Sequence, residues 1–156
     1  MPSANGLAAR IPPPIIALAM AGPMVYVANI SASYAVPATT KWLLVGLWVL
    51  AGLVIELSAV LAFRRAKTTI NPLRPHSTRN LVTSGVYRFT RNPMYLGLCL
   101  QLMALVVYLT APVAVVGVVL FIVLTTWLQI VPEEQALREL FGEEYNDYCQ
   151  RVRRWV

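Results

Sequence analysis

The sequence predicts an all-α integral membrane protein of about four transmembrane helices, with a cytoplasmic connecting segment and a C-terminal amphipathic helix. Three observations predict it. Apolar residues make up 58% of the 156-residue chain and charged residues only 13%, too apolar a balance for an ordinary soluble domain. Long runs without charge match the roughly 20 residues that a helix needs to cross a hydrocarbon core of about 30 Å. The cations gather in two segments, as they do in membrane proteins that hold one orientation. The length suits a single domain over residues 1–156.

The first span is expected over residues 13–30. Pro12, Pro13 and Pro14 suit a helix start, while Pro23 interrupts its hydrogen bonding. Arg10 alone, clustered prolines and no clear small-residue cleavage site argue against a removable signal peptide, so this segment is expected to stay in place. The second span, over 42–63, carries one charge, Glu56, and ends at Arg64 and Arg65. From Met94 to Val131 there is no charged residue, which gives two spans, 94–109 and 112–131. Thr110-Ala111-Pro112 is the turn of that hairpin. Cys99 falls in a span and Cys149 in the terminal tail, so both read as plain thiols.

Of the 13 Lys and Arg residues, seven lie between Arg64 and Arg91 and four after Val131. The positive-inside rule puts both segments in the cytoplasm, with the hairpin between them and two earlier spans returning the N-terminus to the same side. A bacterial inner membrane fits this pattern. The formal charge of +6 then serves orientation and contact with anionic lipid, and argues against nucleic acid as a partner. After Pro132, Leu137, Leu140, Phe141, Tyr145, Tyr148, Val152 and Trp155 recur at helical spacing. They predict an amphipathic helix lying on the membrane face.

Chemistry concentrates between Leu81 and Gly97, where turn formers, cations and tyrosines follow one another in Leu81-Val-Thr-Ser-Gly85 and Val86-Tyr-Arg-Phe-Thr-Arg-Asn-Pro-Met-Tyr-Leu-Gly97. A basic juxtamembrane loop with interfacial tyrosines has this composition too. Order favours a built site: Asn92-Pro93 starts a helix whose first turn holds Met94, Tyr95 and Gly97, with unpaired N–H groups suited to a carboxylate. Glu133-Glu134 after Pro132 reads either as ordinary helix-start chemistry or as a carboxylate for an ammonium or sulfonium. Glu56 inside a span needs a partner such as Gln101 or Gln129, or else lines a cavity for a lipid substrate. His76, the only histidine, sits in a Pro-flanked loop and reads as solvated.

Taken in order, Gly85-Val-Tyr-Arg-Phe-Thr-Arg-Asn-Pro-Met-Tyr-Leu-Gly97, the hydrophobic hairpin, Pro132-Glu-Glu, Leu137, Phe141-Gly-Glu-Glu-Tyr145, Tyr148 and Arg151-Val152 resemble the isoprenylcysteine carboxyl methyltransferase family. The wider phospholipid methyltransferase group has similar signatures. The resemblance covers about Thr68 to the C-terminus. It implies a pocket for S-adenosylmethionine built from Arg91, Pro93, Tyr95, Gly97, Glu133 and Glu134, with Leu81, Val82, Gly85, Tyr87, Asn92 and Gln129 beside them and no metal. Asn92 stands where the commonest motif has histidine, which removes general-base catalysis there but keeps hydrogen-bonding capacity. Arg151 matches an arginine implicated in substrate handling.

The implied reaction is methyl transfer to a lipophilic acceptor: a prenylcysteine-like carboxylate, another lipid, or a thiol. Arg151 and Glu134 are the expected catalytic residues, and Glu56 and Arg151 the expected substrate contacts. Membrane lipids are further partners, and oligomeric state stays open. Two rivals are an NADPH-dependent enzyme of the sterol-reductase type and a non-catalytic membrane adaptor that retains the fold.

Overall fold

The computed structural model describes residues 11–66 and 80–156. Among the described residues six helices follow in order: α1 (Pro13–Ile30), α2 (Ala38–Arg65), α3 (Pro93–Leu109), α4 (Val115–Thr125), α5 (Val131–Phe141) and α6 (Glu143–Arg151). One-turn 3₁₀ elements sit at Gly85–Arg88 and Pro112–Ala114, and a π-helical turn, Thr126–Ile130, joins α4 to α5. Three helical stretches, Pro13–Ile30, Ala38–Arg65 and Pro112–Phe141, are long and apolar enough to cross a membrane. The chain is therefore an integral membrane protein. Apolar α3 is shorter, at 17 residues.

α1 opens on Pro13 and runs through Pro23 without a break. α2 spans 28 residues, longer at both ends than the expected 42–63. Pro37 presets its entry, and the Lys41 N–H closes the first turn on the Pro37 carbonyl at 3.0 Å. Leu43, Leu47, Leu50, Val54 and Leu57 are all exposed along α2, as residues in contact with lipid tails are. Its buried residues are small, Gly52, Ala59 and Ala62, which lets the backbones of α2 and α3 approach closely. A Cβ on Gly52 would stand 2.8 Å from the Gly97 carbonyl oxygen.

α3 is the central helix, packed on α2 to one side and on α1 and α4 to the other. Met24, Leu102, Val118 and Phe121 form the core between α1, α3 and α4. Thr110 turns the chain in the left-handed region (φ 51°). The Tyr34 N–H donates to its carbonyl at 3.0 Å, tying the α1–α2 link to this turn.

Pro132 has no N–H, and its ring would strike the carbonyl four residues back in a regular helix. The wider π turn just before it relieves that conflict. Thr125 and Thr126 hydroxyls donate back to the carbonyls of Phe121 and Ile122, each at 2.6 Å. Ile130 and Val131 keep helical dihedrals, so the path from α4 into α5 is continuous. Pro132 nonetheless stands in the opening positions of α5 with Glu133 and Glu134 in its first turn, as the helix-start reading expects.

The single C-terminal helix expected on the membrane face is instead two. Gly142 (φ 51°, ψ −122°) breaks them, in a region that residues with a Cβ avoid. The apolar face of α6 does not lie on the bilayer either: Tyr145, Tyr148 and Val152 are buried against Leu81, Leu137 and Phe141. Cys99 and Cys149 are both free thiols.

Candidate functional site

The segment before α3 is shaped by Gly85, whose φ of 64° suits a residue without a Cβ. The 3₁₀ turn that follows brings Tyr87 edge-on to Phe63, centroids 5.4 Å apart. Val82 and Tyr87 pack on Ala59 and Ala62 of α2. From α6, the Tyr148 hydroxyl donates to the Tyr87 carbonyl at 2.8 Å. Desolvation by burial pushes the Tyr87, Tyr145 and Tyr148 phenols up, so all three stay neutral.

Two polar clusters follow where α3 meets the π turn and α5. In the first, the Tyr95 hydroxyl lies 2.8 Å from Glu133 Oε1 and 3.0 Å from Gln129 Oε1. The Gln129 amide nitrogen is engaged by the Ile11 carbonyl. A phenol has one proton to give, yet it faces two acceptors. With Glu133 ionised the cluster lacks one donor, which a cationic group beside the carboxylate would balance.

The second cluster centres on Glu134, whose side chain is 6% exposed. Arg154 grips it through Nε to Oε1 at 2.9 Å and Nη2 to Oε2 at 2.8 Å, and this pairing pushes the guanidinium pKa up. Arg91 Nη1 lies 3.2 Å from Oε1, while Arg138 reaches the rim at 4.0 Å. Arg91 also donates to the Cys149 sulfur. Two close guanidiniums against one carboxylate leave a surplus positive charge, and Arg91 Nε is buried without a partner. An anionic group fits that orphan donor.

Asn92 holds the terminal tail. Its Nδ2 donates to the Arg154 carbonyl at 2.9 Å, and the Thr90 hydroxyl reaches the same oxygen at 3.3 Å. The Arg91 N–H donates to the Arg153 carbonyl at 3.0 Å. The structure thus brings together Tyr87, Arg91, Asn92, Pro93, Tyr95, Gln129, Glu133 and Glu134.

Gly97 and Glu56 lie elsewhere, at the α2–α3 contact, where a Cβ on Gly97 would overlap the Glu56 side chain. Gln101 Nε2 donates to Glu56 Oε2 at 3.0 Å, and Glu56 Oε1 is buried without a partner. Arg151 is exposed, its Nε on the Asp147 carbonyl at 3.2 Å. Leu81 and Val82 serve packing. His76 and the Asn71–Pro75 stretch lie outside the described residues. Thr90, Arg154 and Cys149 are neighbours of the candidate site that sequence reasoning missed, whereas Tyr148 belongs to the residues that carry the resemblance. Aromatic spacing also pointed to Tyr148.

Cavities flank the helices among the described residues. One of about 530 Å³ lies against α2 beside the 3₁₀ turn, lined by Ser58, Leu61, Ala62, Arg65, Ser84 and Gly85 among others. A second, about 480 Å³, lies at the far end of the bundle around Leu44, Val107 and Thr110. Glu56 lines neither. Among the described residues no three His, Cys, Asp or Glu side chains converge as metal ligands would.

Helices of membrane length around a buried, mixed-charge cluster define a helical membrane protein with a polar site at one end of its bundle. The chain matches the family described as phospholipid methyltransferase over residues 40–144 and belongs to that family.

Among its relatives, it is 35% identical over 104 residues to a probable protein-S-isoprenylcysteine O-methyltransferase of Oryza sativa subsp. indica, covering 67% of this chain and 54% of that one. It is 41% identical over 73 residues to methanethiol S-methyltransferase 1 of Bradyrhizobium diazoefficiens, 45% of this chain and 24% of the other. An uncharacterized protein of Haemophilus influenzae matches at 44% over 63 residues, 40% of this chain and all of its own length. The chain spans about half the length of the rice relative. No solved structure matches it.

Proposed function

We propose that the protein transfers a methyl group from S-adenosylmethionine to a lipophilic acceptor at the membrane–cytosol boundary. The observation that carries this reading is the meeting of Arg91 and Tyr95 with Glu134 and Glu133, at 3.2 and 2.8 Å, from segments far apart in sequence. The pair offers opposite charges a short way apart. Glu133, short of a donor, suits a sulfonium or ammonium, and Arg91 Nε suits a carboxylate. A ligand carrying both groups matches this arrangement.

When bound, the sulfonium supplies an already activated methyl group. The chain's own residues then have to hold, orient and keep water out. Tyr95 fixes the Glu133 carboxylate, Arg154 fixes Glu134, and Asn92 with Thr90 keeps the tail over the start of α3. The acceptor is a carboxylate on an isoprenoid or prenylcysteine-like molecule, another lipid, or a thiol. The O-methyltransferase and S-methyltransferase names of the relatives support that range. Arg151, exposed beside the site, is free to meet an acceptor carboxylate, with Glu134 as the second catalytic candidate. Residues 81–97 and 129–154 make the cofactor segments of a four-span protein of the bacterial inner membrane with both termini in the cytoplasm.

Titration of the detergent-purified protein with S-adenosylmethionine and S-adenosylhomocysteine tests the reading. Both should bind saturably and NADPH should not. Glu133→Gln should weaken the charged donor about tenfold more than the neutral product, since only the former carries a sulfonium. Saturable NADPH binding without either sulfur ligand would overturn it, as would equal losses for the two ligands.

A further inference from the structure

We propose that the end of the bundle opposite Glu133 and Glu134 holds one anionic phospholipid, with an acyl chain in the cavity at the α3–α4 turn and its phosphate at Lys41. The cavity, about 480 Å³, is lined by Tyr34, Leu44, Met103, Val107, Thr110 and Val115 among others, a volume within the roughly 300–1,000 Å³ of ligand sites. Its lining is overwhelmingly hydrocarbon, so its occupant is apolar. The α2 surface alongside exposes Leu43, Leu47 and Leu50, and an occupant therefore comes from the bilayer rather than from water.

Lys41 supplies the charge. It is the only cation between residues 11 and 63, and two effects work against it there. It sits in the first turns of α2, at the positive end of the helix dipole, and at the end of the bundle away from the two basic segments. The rings of Trp42 and Tyr108 hold its ammonium at 5.9 and 5.5 Å. Neither ring accepts a hydrogen bond as an oxygen does, so the ammonium protons stay available for phosphate.

Helical spacing joins this charge to the cavity. Leu44 is three residues on from Lys41, on the same face, and Tyr108 follows Val107 of the lining. Trp42, Tyr108 and Tyr34 are all exposed at this end, where amphipathic rings mark headgroup depth. A cation at headgroup level beside an apolar cavity opening below it is the complement of a phosphate joined to an acyl chain.

Native mass spectrometry of the full chain, incubated in detergent with dioleoyl phosphatidylglycerol or dioleoyl phosphatidylcholine, tests this. Wild type should retain one phosphatidylglycerol per chain and about fivefold less phosphatidylcholine, a difference at the upper end of one exposed charge pair. Lys41→Gln should erase the difference and Lys41→Arg should keep it, which separates a lost charge from a lost fold. Val107→Trp, by filling the cavity, should reduce retention of both lipids. Glycerol phosphate, a headgroup without a tail, should not compete. Equal retention of both lipids by wild type, an unchanged preference in Lys41→Gln, full retention in Val107→Trp, or competition by glycerol phosphate would each overturn the proposal.

Discussion

The Arg154 guanidinium meets the Glu134 carboxylate through two parallel bonds of 2.9 and 2.8 Å. Arg91 alone, at 3.2 Å, does not match that fork. The last few residues are therefore part of the site, and the buried carboxylate depends on them.

Arg154→Ala should destabilise the protein by about 2 kcal/mol, the scale of a lost charge-assisted pair when a second cation remains. Arg154→Lys keeps the charge but not the fork and should fall between. Thermal unfolding in detergent orders the three proteins. An Arg154→Ala melt that coincides with wild type contradicts this account.

Asn92 acts here as a donor to the Arg154 carbonyl, and histidine can also donate. Asn92→His should keep near-wild-type stability, whereas Asn92→Asp sets a carboxylate against a carbonyl and should cost about 1 to 3 kcal/mol. Melts of the two variants side by side check this, and a reversed order refutes it.

Tyr95→Phe leaves both Gln129 and Glu133 without the phenol proton. Its affinity for S-adenosylmethionine should fall about tenfold, the scale of one buried hydrogen bond to a charged group. Calorimetric titration measures it, with the Leu47→Ala variant, on the exposed face of α2, as a comparison.

The α2–α3 contact predicts a selective rescue. Gly97→Ala collides with the Glu56 side chain, whereas Gly52→Ala collides with the backbone oxygen of Gly97. Both should lower the melting temperature. Adding Glu56→Ala should recover much of the loss for Gly97→Ala and none for Gly52→Ala. Equal rescue of both would show that the helices separate instead of meeting at these atoms.

The apolar runs were legible because a membrane helix needs only length and hydropathy. The pairing of Arg91 and Tyr95 with the Glu133–Glu134 region was legible through resemblance, since spacing gives no hint of contacts across 40 residues. The division of labour between the two glutamates was not. Neighbours on a helix point about 100° apart, so Glu133 turns to Tyr95 while Glu134 turns to the arginines.

Arg154 escaped notice for a different reason. Arg151 closes α6, but Val152 is already extended (φ −126°, ψ 130°), and beyond it helical periodicity says nothing about where a side chain lands. Likewise Gly142 breaks a run whose apolar spacing, read alone, continues smoothly.

The π turn at Thr126–Ile130 sets the phase between α4 and everything after it. A regular α-helix through the same residues would need one residue fewer per turn, and each residue counts for about 100° of rotation. Forcing the same five residues into a regular α-helix would leave α4 seated in the core but swing α5 around its own axis, carrying Glu133 away from Tyr95. The orientation of Glu133 thus depends on this one turn keeping its wider form, which the missing N–H of Pro132 favours.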